Sequence, residues 1–387
     1  LHNEFSEITQ AEGMMQEYNE QRVKEAIASG ATNGMMAESF GVSERTMRRW
    51  KAKLALVGFA PESDMTRQCP DGFKVKGVSS LYNKEGVLSA QWVKTSADHE
   101  RRHEMMLEAV EALKEEIPRV SLMTAPSPGA DNLLNVYTIT DYHFGMLAWK
   151  AETGDDWDTN IAEATLLAWF ERSISLSPDA DSCVLAQIGD FLHFDGLESI
   201  TPSSGHNLDA DTRFSRLVRV AIRTIARVID MLLAKYQNVY VLMAEGNHDL
   251  ASSVWLRELF AARYENEPRV TVETRPDPYY CYEHGLTSLF WHHGHKHRMS
   301  GLDAVFVAKF RDVFGRTKHS YAHTGHLHHR DLKETNLMIV EQHRTLAGAD
   351  AYASRGGWMS GRSSTVITYH KEYGEVGRIT VSPEMLH

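Results

Sequence analysis

The stretch NVYTITDYHFG, residues 135–145, decides the fold: a run of β-branched and aromatic residues of strand length stops at Asp141-Tyr142-His143, a carboxylate and an imidazole two residues apart. The same event recurs downstream. SCVLAQIG leads into Gly189-Asp190-Phe191-Leu192-His193, and NVYVLMAEG ends in Gly246-Asn247-His248-Asp249. Between these β-like runs lie helical ones, IAEATLLAWFERSI, the long DTRFSRLVRVAIRTIARVIDMLLAKY, and SSVWLRELFAARY. Strand alternating with helix implies an α/β sheet, and in such sheets ligands bind at the carboxyl ends of the strands. Two further clusters follow strand-like runs, His292-His293-Gly294-His295 after TSLFW and Gly325-His326-Leu327-His328 after HSYAHT; STVITYHK reads as one more strand.

These clusters supply carboxylate and amide oxygen and imidazole nitrogen without sulfur, a donor set suited to Mn, Fe or Zn rather than to Ca or an iron–sulfur cluster. They hold too many ligands for one ion. A pair of divalent ions about 3.5–4 Å apart with a bridging carboxylate would use them all. Ten of the twenty histidines fall between His292 and His343, a crowding that metal binding explains.

Composition agrees with a folded protein. The chain has 387 residues, 42% hydrophobic and 24% charged, enough for two or three domains with at least one large core. A net charge of −11 repels polyanions overall, so a phosphate-bearing partner must be held by local basic groups or bound cations. Cys69, Cys183 and Cys281 form no CxxC pair, which excludes a thiolate zinc site and a disulfide framework and suits a reducing cytoplasm. The opening LHNEFSEITQ lacks a secretory pattern, and no apolar run of membrane-spanning length occurs, so no membrane partner is expected. Oligomeric state stays open, a homo-oligomer included.

Toward the N-terminus, AESFGVSERTMRRWKAKL reads as helix, turn and helix. Gly41 makes the turn, Ser43 caps the second helix, and Met47, Trp50 and Leu54 share one face. The other face carries Arg45, Arg48, Arg49, Lys51 and Lys53. Residues 73–95 read as a hairpin turning at Asn83 to Gly86, and residues 97–117 as a helix with Met106, Val110, Leu113 and Ile117 in one stripe. PRVSLMTAPSPGAD reads as a linker. The expected domains are therefore 1–117, helix-turn-helix with hairpin and helix; a linker over 118–132; and the α/β domain with the five clusters over 133–387.

The ordered set D-x-H, G-D-x-x-H, G-N-H-D, H-G-H and G-H-x-H resembles the calcineurin-like metallophosphoesterase family over residues 133–387. The resemblance implies a four-layer αββα sandwich, preceded here by a small helix-turn-helix α+β domain. It implies that Asp141, His143 and His328 hold one metal, that Asn247, His293 and His326 hold the other, and that Asp190 bridges. Mn²⁺ is the expected ion, with Fe or Zn as alternatives, and His292 or His295 could replace His293. His248 resembles the family's catalytic histidine that lies over the substrate phosphate, with Asp249 orienting its imidazole. His193 is similar to the histidine of the double-strand-break repair nuclease branch. Lys296, Arg298, Arg330 and Arg355 lie near the motifs and could assist or simply be solvated. A helix-turn-helix followed by a phosphoesterase also resembles bacteriophage-encoded proteins, which would place the chain in a host cytoplasm. The expected function is a metal-dependent phosphodiesterase, a DNA nuclease binding DNA through Arg45, Arg48, Arg49, Lys51 and Lys53. Two alternatives stay open: a phosphomonoesterase acting on phosphoprotein or nucleotide, and a DNA-binding regulator with a non-catalytic phosphoesterase domain.

Overall fold

A computed structural model describes residues 20–65, 69, 73–85, 87–98, 101, 104, 107, 123–202, 204–357 and 359–386. The chain divides into two compact units between residues 105 and 106.

The first unit opens with α1 (Glu20–Ala28), α2 (Asn33–Ser39) and α3 (Glu44–Leu56). Apolar positions at helical spacing give each helix one greasy side, and Val23, Ile27, Met36, Phe40, Met47, Trp50 and Leu54 meet in a small core. The turn into α3 uses the expected residues. Gly41 takes φ +62°, a value that a side chain would disfavour, and the Ser43 hydroxyl accepts from the Thr46 N–H at 3.1 Å. Strands β1 (Phe73–Tyr82) and β2 (Leu88–Ala97) then pair antiparallel as the expected hairpin. The helix stripe of Met106, Val110, Leu113 and Ile117 lies outside the described residues.

The second unit holds two mixed sheets. The first has the order β13-β12-β3-β4-β5-β6, with β3 (Ala130–Ile139), β4 (Ala180–Gln187), β5 (Asn238–Met243) and β6 (Val270–Val272) parallel, β12 (Ser364–His370) antiparallel to β3, and β13 (Gly374–Val381) antiparallel to β12. The second has the order β10-β11-β9-β8-β7, in which β8 (Thr287–Trp291), β9 (His319–Thr324) and β11 (Ile339–Gln342) run parallel and β7 (Tyr280–His284) and β10 (Asp331–Glu334) antiparallel. Crossover helices α4 (Thr159–Leu176), α5 (Phe214–Leu233) and α6 (Leu250–Arg263) build the largest core on one face of the first sheet. Its other face meets the second sheet through Leu134, Val136, Val184, Leu242, Leu289, Trp291 and Ile367. Helix α7 (Leu302–Lys309) covers the far side of the second sheet, where Leu302 and Phe306 pack on Phe290 and Val340, and α8 (Arg311–Arg316) follows. The layers thus run α, β, β, α. Packing on both faces is why β3 is buried at every position from Leu134 to Ile139 and apolar at all of them but Asn135 and Thr138.

The segment expected as a linker is tied down where it is described. Met123 N donates to Glu267 Oε2 at 3.0 Å, Gln237 Nε2 donates to the Pro126 carbonyl, and β3 already begins at Ala130, inside the expected linker. Pro and Gly prevent regular structure there without preventing packing. Among the described residues no helix is long and apolar enough to cross a membrane.

Candidate metal centre

Five loops leave the carboxyl ends of β3, β4, β5, β8 and β9, carrying Asp141, Asp190, Asn247, His293 and His326. Because β3, β4 and β5 are parallel, as are β8 and β9, the ends within each sheet point the same way, and the packed sheets bring the two sets together. Two groups result: Asp141, His143 and His328, and Asp190, His293 and His326.

The local backbone is unusual. Among the described residues six non-glycine residues have positive φ: Asp141 (50°), His143 (47°), Asp190 (52°), His326 (77°), His328 (57°) and, far off in sequence, Asp64. Left-handed backbone disfavours a side chain, and Asp and His in it mark a site where the surroundings hold strain. Three motif glycines explain part of the closeness. A Cβ on Gly189 would lie 2.6 Å from the His293 ring, one on Gly246 would lie 2.0 Å from Asp190 Oδ1, and one on Gly325 would lie 1.8 Å from Thr140 Oγ1 and 2.5 Å from Asp141 Oδ2.

Hydrogen bonds aim the ligands. Asp141 Oδ2 accepts from Thr140 Oγ1 at 2.6 Å and from His326 N at 2.8 Å, and its Oδ1 stays buried without a hydrogen bond. His293 Nδ1 donates to the Ile188 carbonyl at 2.8 Å, leaving Nε2 buried and likewise unbonded. Asn247 Oδ1 is a third such atom. Nε2 of His328 stands 3.2 Å from Asp141 Oδ1 and 3.4 Å from His143 Nε2, and Nε2 of His293 stands 3.1 Å from Asp190 Oδ2. The two groups approach one another, since His293 Nε2 is also 3.9 Å from Asp141 Oδ1.

Electrostatics ask for positive charge at this place. Burial alone would raise the Asp141 and Asp190 carboxyls, yet His328 and His293 beside Asp141, and His293 beside Asp190, outweigh it and hold both below the usual carboxylate range. Conversely, burial works against the His293 imidazolium, but Asp190 and Asp141 raise it to about 10. His328 is raised in the same way by Asp141. The carboxylates that favour the protonated form of His293 and His328 would equally favour a bound cation. The donors fit a metal: neighbouring ligands on bonds of about 2.1 Å lie roughly 3.0–3.4 Å apart, and Asp141 Oδ1, His293 Nε2 and Asn247 Oδ1 are buried without a hydrogen bond.

His143 is pushed well below its ordinary value by burial and by His248 and His193, so it offers lone pairs. His193 is only 1% exposed, with Nδ1 3.2 Å from His143 Nδ1, and burial drives it down to about 3. Its carbonyl accepts from His248 Nδ1 at 2.8 Å, and its ring nitrogen lies with those of His143 and His248 in a further group close enough to share an ion. The expectation that Asp249 orients His248 is corrected. Asp249 accepts instead from the N–H groups of Asp190 (3.2 Å), Phe191 (2.7 Å), Leu192 (3.2 Å) and Gly246 (2.9 Å), because the loop carrying Asp190 folds over its carboxylate. Burial and then Asp190 push that carboxyl up to about 7.

Of the three candidate histidines after β8, His293 reaches Asp190 and His326. His292 turns away, its Nδ1 accepting from Gly294 N and its ring stacked on Tyr279 at 4.5 Å. His295 lies 5.3 Å from His293 between ring centroids. Lys296, Arg330 and Arg355 pair with Glu245, Glu341 and Glu152. Sequence reasoning missed Thr140, and also Thr345, whose hydroxyl donates to the Asp141 carbonyl at 2.6 Å; neither carries a motif signal. A further buried trio, His323, Glu341 and His343, is grouped closely enough for a metal, but Arg378 already takes both Glu341 oxygens at 2.7 Å and His323 bonds both His343 and Tyr369. A guanidinium fills the cation position there.

The cations of α3 are all on its surface or half-buried. Arg48 pairs with Glu44 at 2.9 Å and Lys51 with Glu62 at 3.4 Å; Glu44 lies one turn before Arg48, and Glu62 comes from beyond the helix. Arg45 and Arg49 are exposed.

No family model matches the chain, and no curated protein matches it. Solved structures do. A conserved uncharacterized protein from Streptococcus pneumoniae, described as a predicted phosphoesterase, is 10% identical over 66% of this chain and 92% of its own, with a TM-score of 0.31. An archaeal phosphodiesterase is 14% identical over 64% of this chain and 99% of its own, with a TM-score of 0.33. Zinc-complexed Vps29 from Entamoeba histolytica is 12% identical over 64% and 99%, with a TM-score of 0.27.

Proposed function

We propose that the chain is a phosphodiesterase of the calcineurin-like metallophosphoesterase type that uses two divalent metals and acts on DNA. The observation that carries the reading is the meeting of Asp141, His143 and His328 with Asp190, His293 and His326, beside the unpartnered Asn247 Oδ1. Asp141, His143 and His328 would hold one ion, Asn247, His293 and His326 the other, and Asp190 would be shared. When bound, such a pair, Mn²⁺ foremost, supplies a hydroxide near neutral pH and a clamp for phosphoryl oxygens. His248 keeps its Nδ1 on the His193 carbonyl, so any proton it passes to a leaving oxygen resides at Nε2. Asp249 holds the Asp190 loop in shape.

The DNA part of the reading is supported by the helix, turn and helix of α2 and α3, with Arg45 and Arg49 exposed on the second helix as cations for phosphate or guanine edges. The deciding experiment offers Mn²⁺-loaded protein single-stranded DNA, duplex DNA, an aryl phosphodiester and an aryl phosphomonoester. Cleavage of DNA and of the diester is expected. Turnover of the monoester with DNA left intact would reject the reading in favour of a phosphomonoesterase.

A further inference from the structure

A second polar constellation lies at the same ends of the strands as the metal ligands. Arg330 follows His328 by two residues, His343 and Arg344 follow β11, and Ser363 and Thr365 stand at the start of β12, where Thr365 pairs with Thr380 of β13 and with Thr138 of β3, three residues before Asp141. Arg330, His343, Arg344, Ser363, Thr365 and Thr380 line a cavity of about 50 Å³. A single water needs about 10–15 Å³ of such volume, so there is room for roughly three to five water-sized atoms, the size of a tetrahedral oxyanion and too little for a nucleobase.

The lining is made of donors. No carboxylate borders the cavity. The nearest, Glu341, is buried behind Arg330 and is already held at both oxygens by Arg378 at 2.7 Å, with Arg330 Nε at 3.0 Å as a third contact. Arg330 therefore keeps its two terminal nitrogens for another partner, and Arg344 is exposed without an ion partner among the described residues. The imidazole of His343 is oriented from behind. The Tyr369 hydroxyl lies 3.0 Å from His323 Nε2, and His323 Nδ1 lies 2.9 Å from His343 Nε2. With the tyrosine proton donated into this chain, His323 donates in turn to His343 Nε2, and Nδ1–H becomes the ring donor left for the cavity.

We propose that this cavity receives a phosphate of the substrate other than the one undergoing hydrolysis, so that the preferred substrate carries at least two phosphates in one chain; this rests on the phosphodiesterase reading above. Free inorganic phosphate shares the chemistry, and the test separates the two sources. The full-length protein is compared with its Arg344→Gln and Thr365→Val variants, neither of which touches the metal ligands. Inorganic phosphate is titrated calorimetrically into metal-free protein, and KM and kcat are measured with Mn²⁺ for a 5′-phosphorylated dinucleotide and for an aryl diester with a single phosphate.

Both variants are expected to bind phosphate at least about ten-fold more weakly and to raise KM for the dinucleotide by a similar factor, with kcat and the aryl diester unaffected. Phosphate affinity equal to wild type in both variants would overturn the proposal, as would an equal KM change for both substrates. Weakened phosphate binding with an unchanged dinucleotide KM would assign the cavity to free phosphate, overturning the substrate role. If the wild type cleaves neither diester, the activity reading itself has failed, and the calorimetry still reports separately whether the cavity takes an anion.

Discussion

At the scale of the residue, the centre is built by exception. Asp141, His143, Asp190, His326 and His328 all accept left-handed backbone, and Gly189, Gly246 and Gly325 leave out the Cβ atoms that would strike His293, Asp190 and Asp141. Such strain persists where the surrounding structure over-determines it, and here packed strands, the hydrogen bonds donated by Thr140 and Thr345, and those that the Asp249 carboxylate accepts from backbone N–H groups do so. Asp190→Asn is expected to abolish hydrolysis, and His248→Ala to lower kcat by about 10²–10⁴-fold, while DNA affinity stays near wild type. Wild-type turnover in either variant would remove these roles. A pH effect follows from His293, whose imidazolium is stabilised by Asp190 and Asp141 after burial has worked against it, giving about 10 in the fold against the ordinary 6.5. A raised value favours the folded state fully below pH 6.5 and loses that contribution as pH rises through about 10. Thermal melts in chelator should therefore fall from pH 7 to 10, and the fall should be smaller with Mn²⁺ present, because the cation replaces the proton. Equal declines with and without metal would contradict the assignment.

At the scale of the element, helix α3 shows how little of a charged face is free. Glu44 and Glu62 engage Arg48 and Lys51, whereas Arg45 and Arg49 are exposed. Exposed ion pairs of this kind contribute little to stability, so their effect here is to mute the field that α3 shows to a polyanion. Each cation that neutralises a DNA phosphate releases counterions worth about 0.9 in the slope of log affinity against log salt. The double variant Arg45→Ala, Arg49→Ala is expected to flatten that slope by roughly 1.8. A slope identical to wild type in a filter-binding series over salt would mean that α3 does not touch DNA.

For the molecule as a whole, the two units differ in what could stabilise them. The candidate metal ligands all lie in the unit from residue 106 onward, whereas the core of α1 to α3 contains none. Metal that binds only the folded state stabilises by about 2.7 kcal/mol at a hundred times its dissociation constant. Adding Mn²⁺ should raise the unfolding transition of the second unit, followed at its buried Trp157, Trp169 and Trp291, and leave that of the first unit, followed at Trp50, unmoved. Parallel shifts in both signals would show that the units unfold as one.

Much of the candidate site was legible along the chain because the ligands follow strand-like runs, most of them apolar through burial on both faces, and a strand end is a local event. Residues 135–145 alone specify a β-run that stops at a carboxylate and an imidazole. The helical spacing of Met47, Trp50 and Leu54 and the cap at Ser43 are local in the same sense. What a lone sequence could not decide was direction and partnership. That His293 rather than His292 faces Asp190, that Asp249 holds a backbone loop instead of His248, that His193 is buried, and that Glu62 reaches Lys51 all depend on where distant segments pack. Local pattern determines which residues a strand delivers to its end; only the packing of one sheet against the other sets the ångström-scale distances that turn those residues into a site.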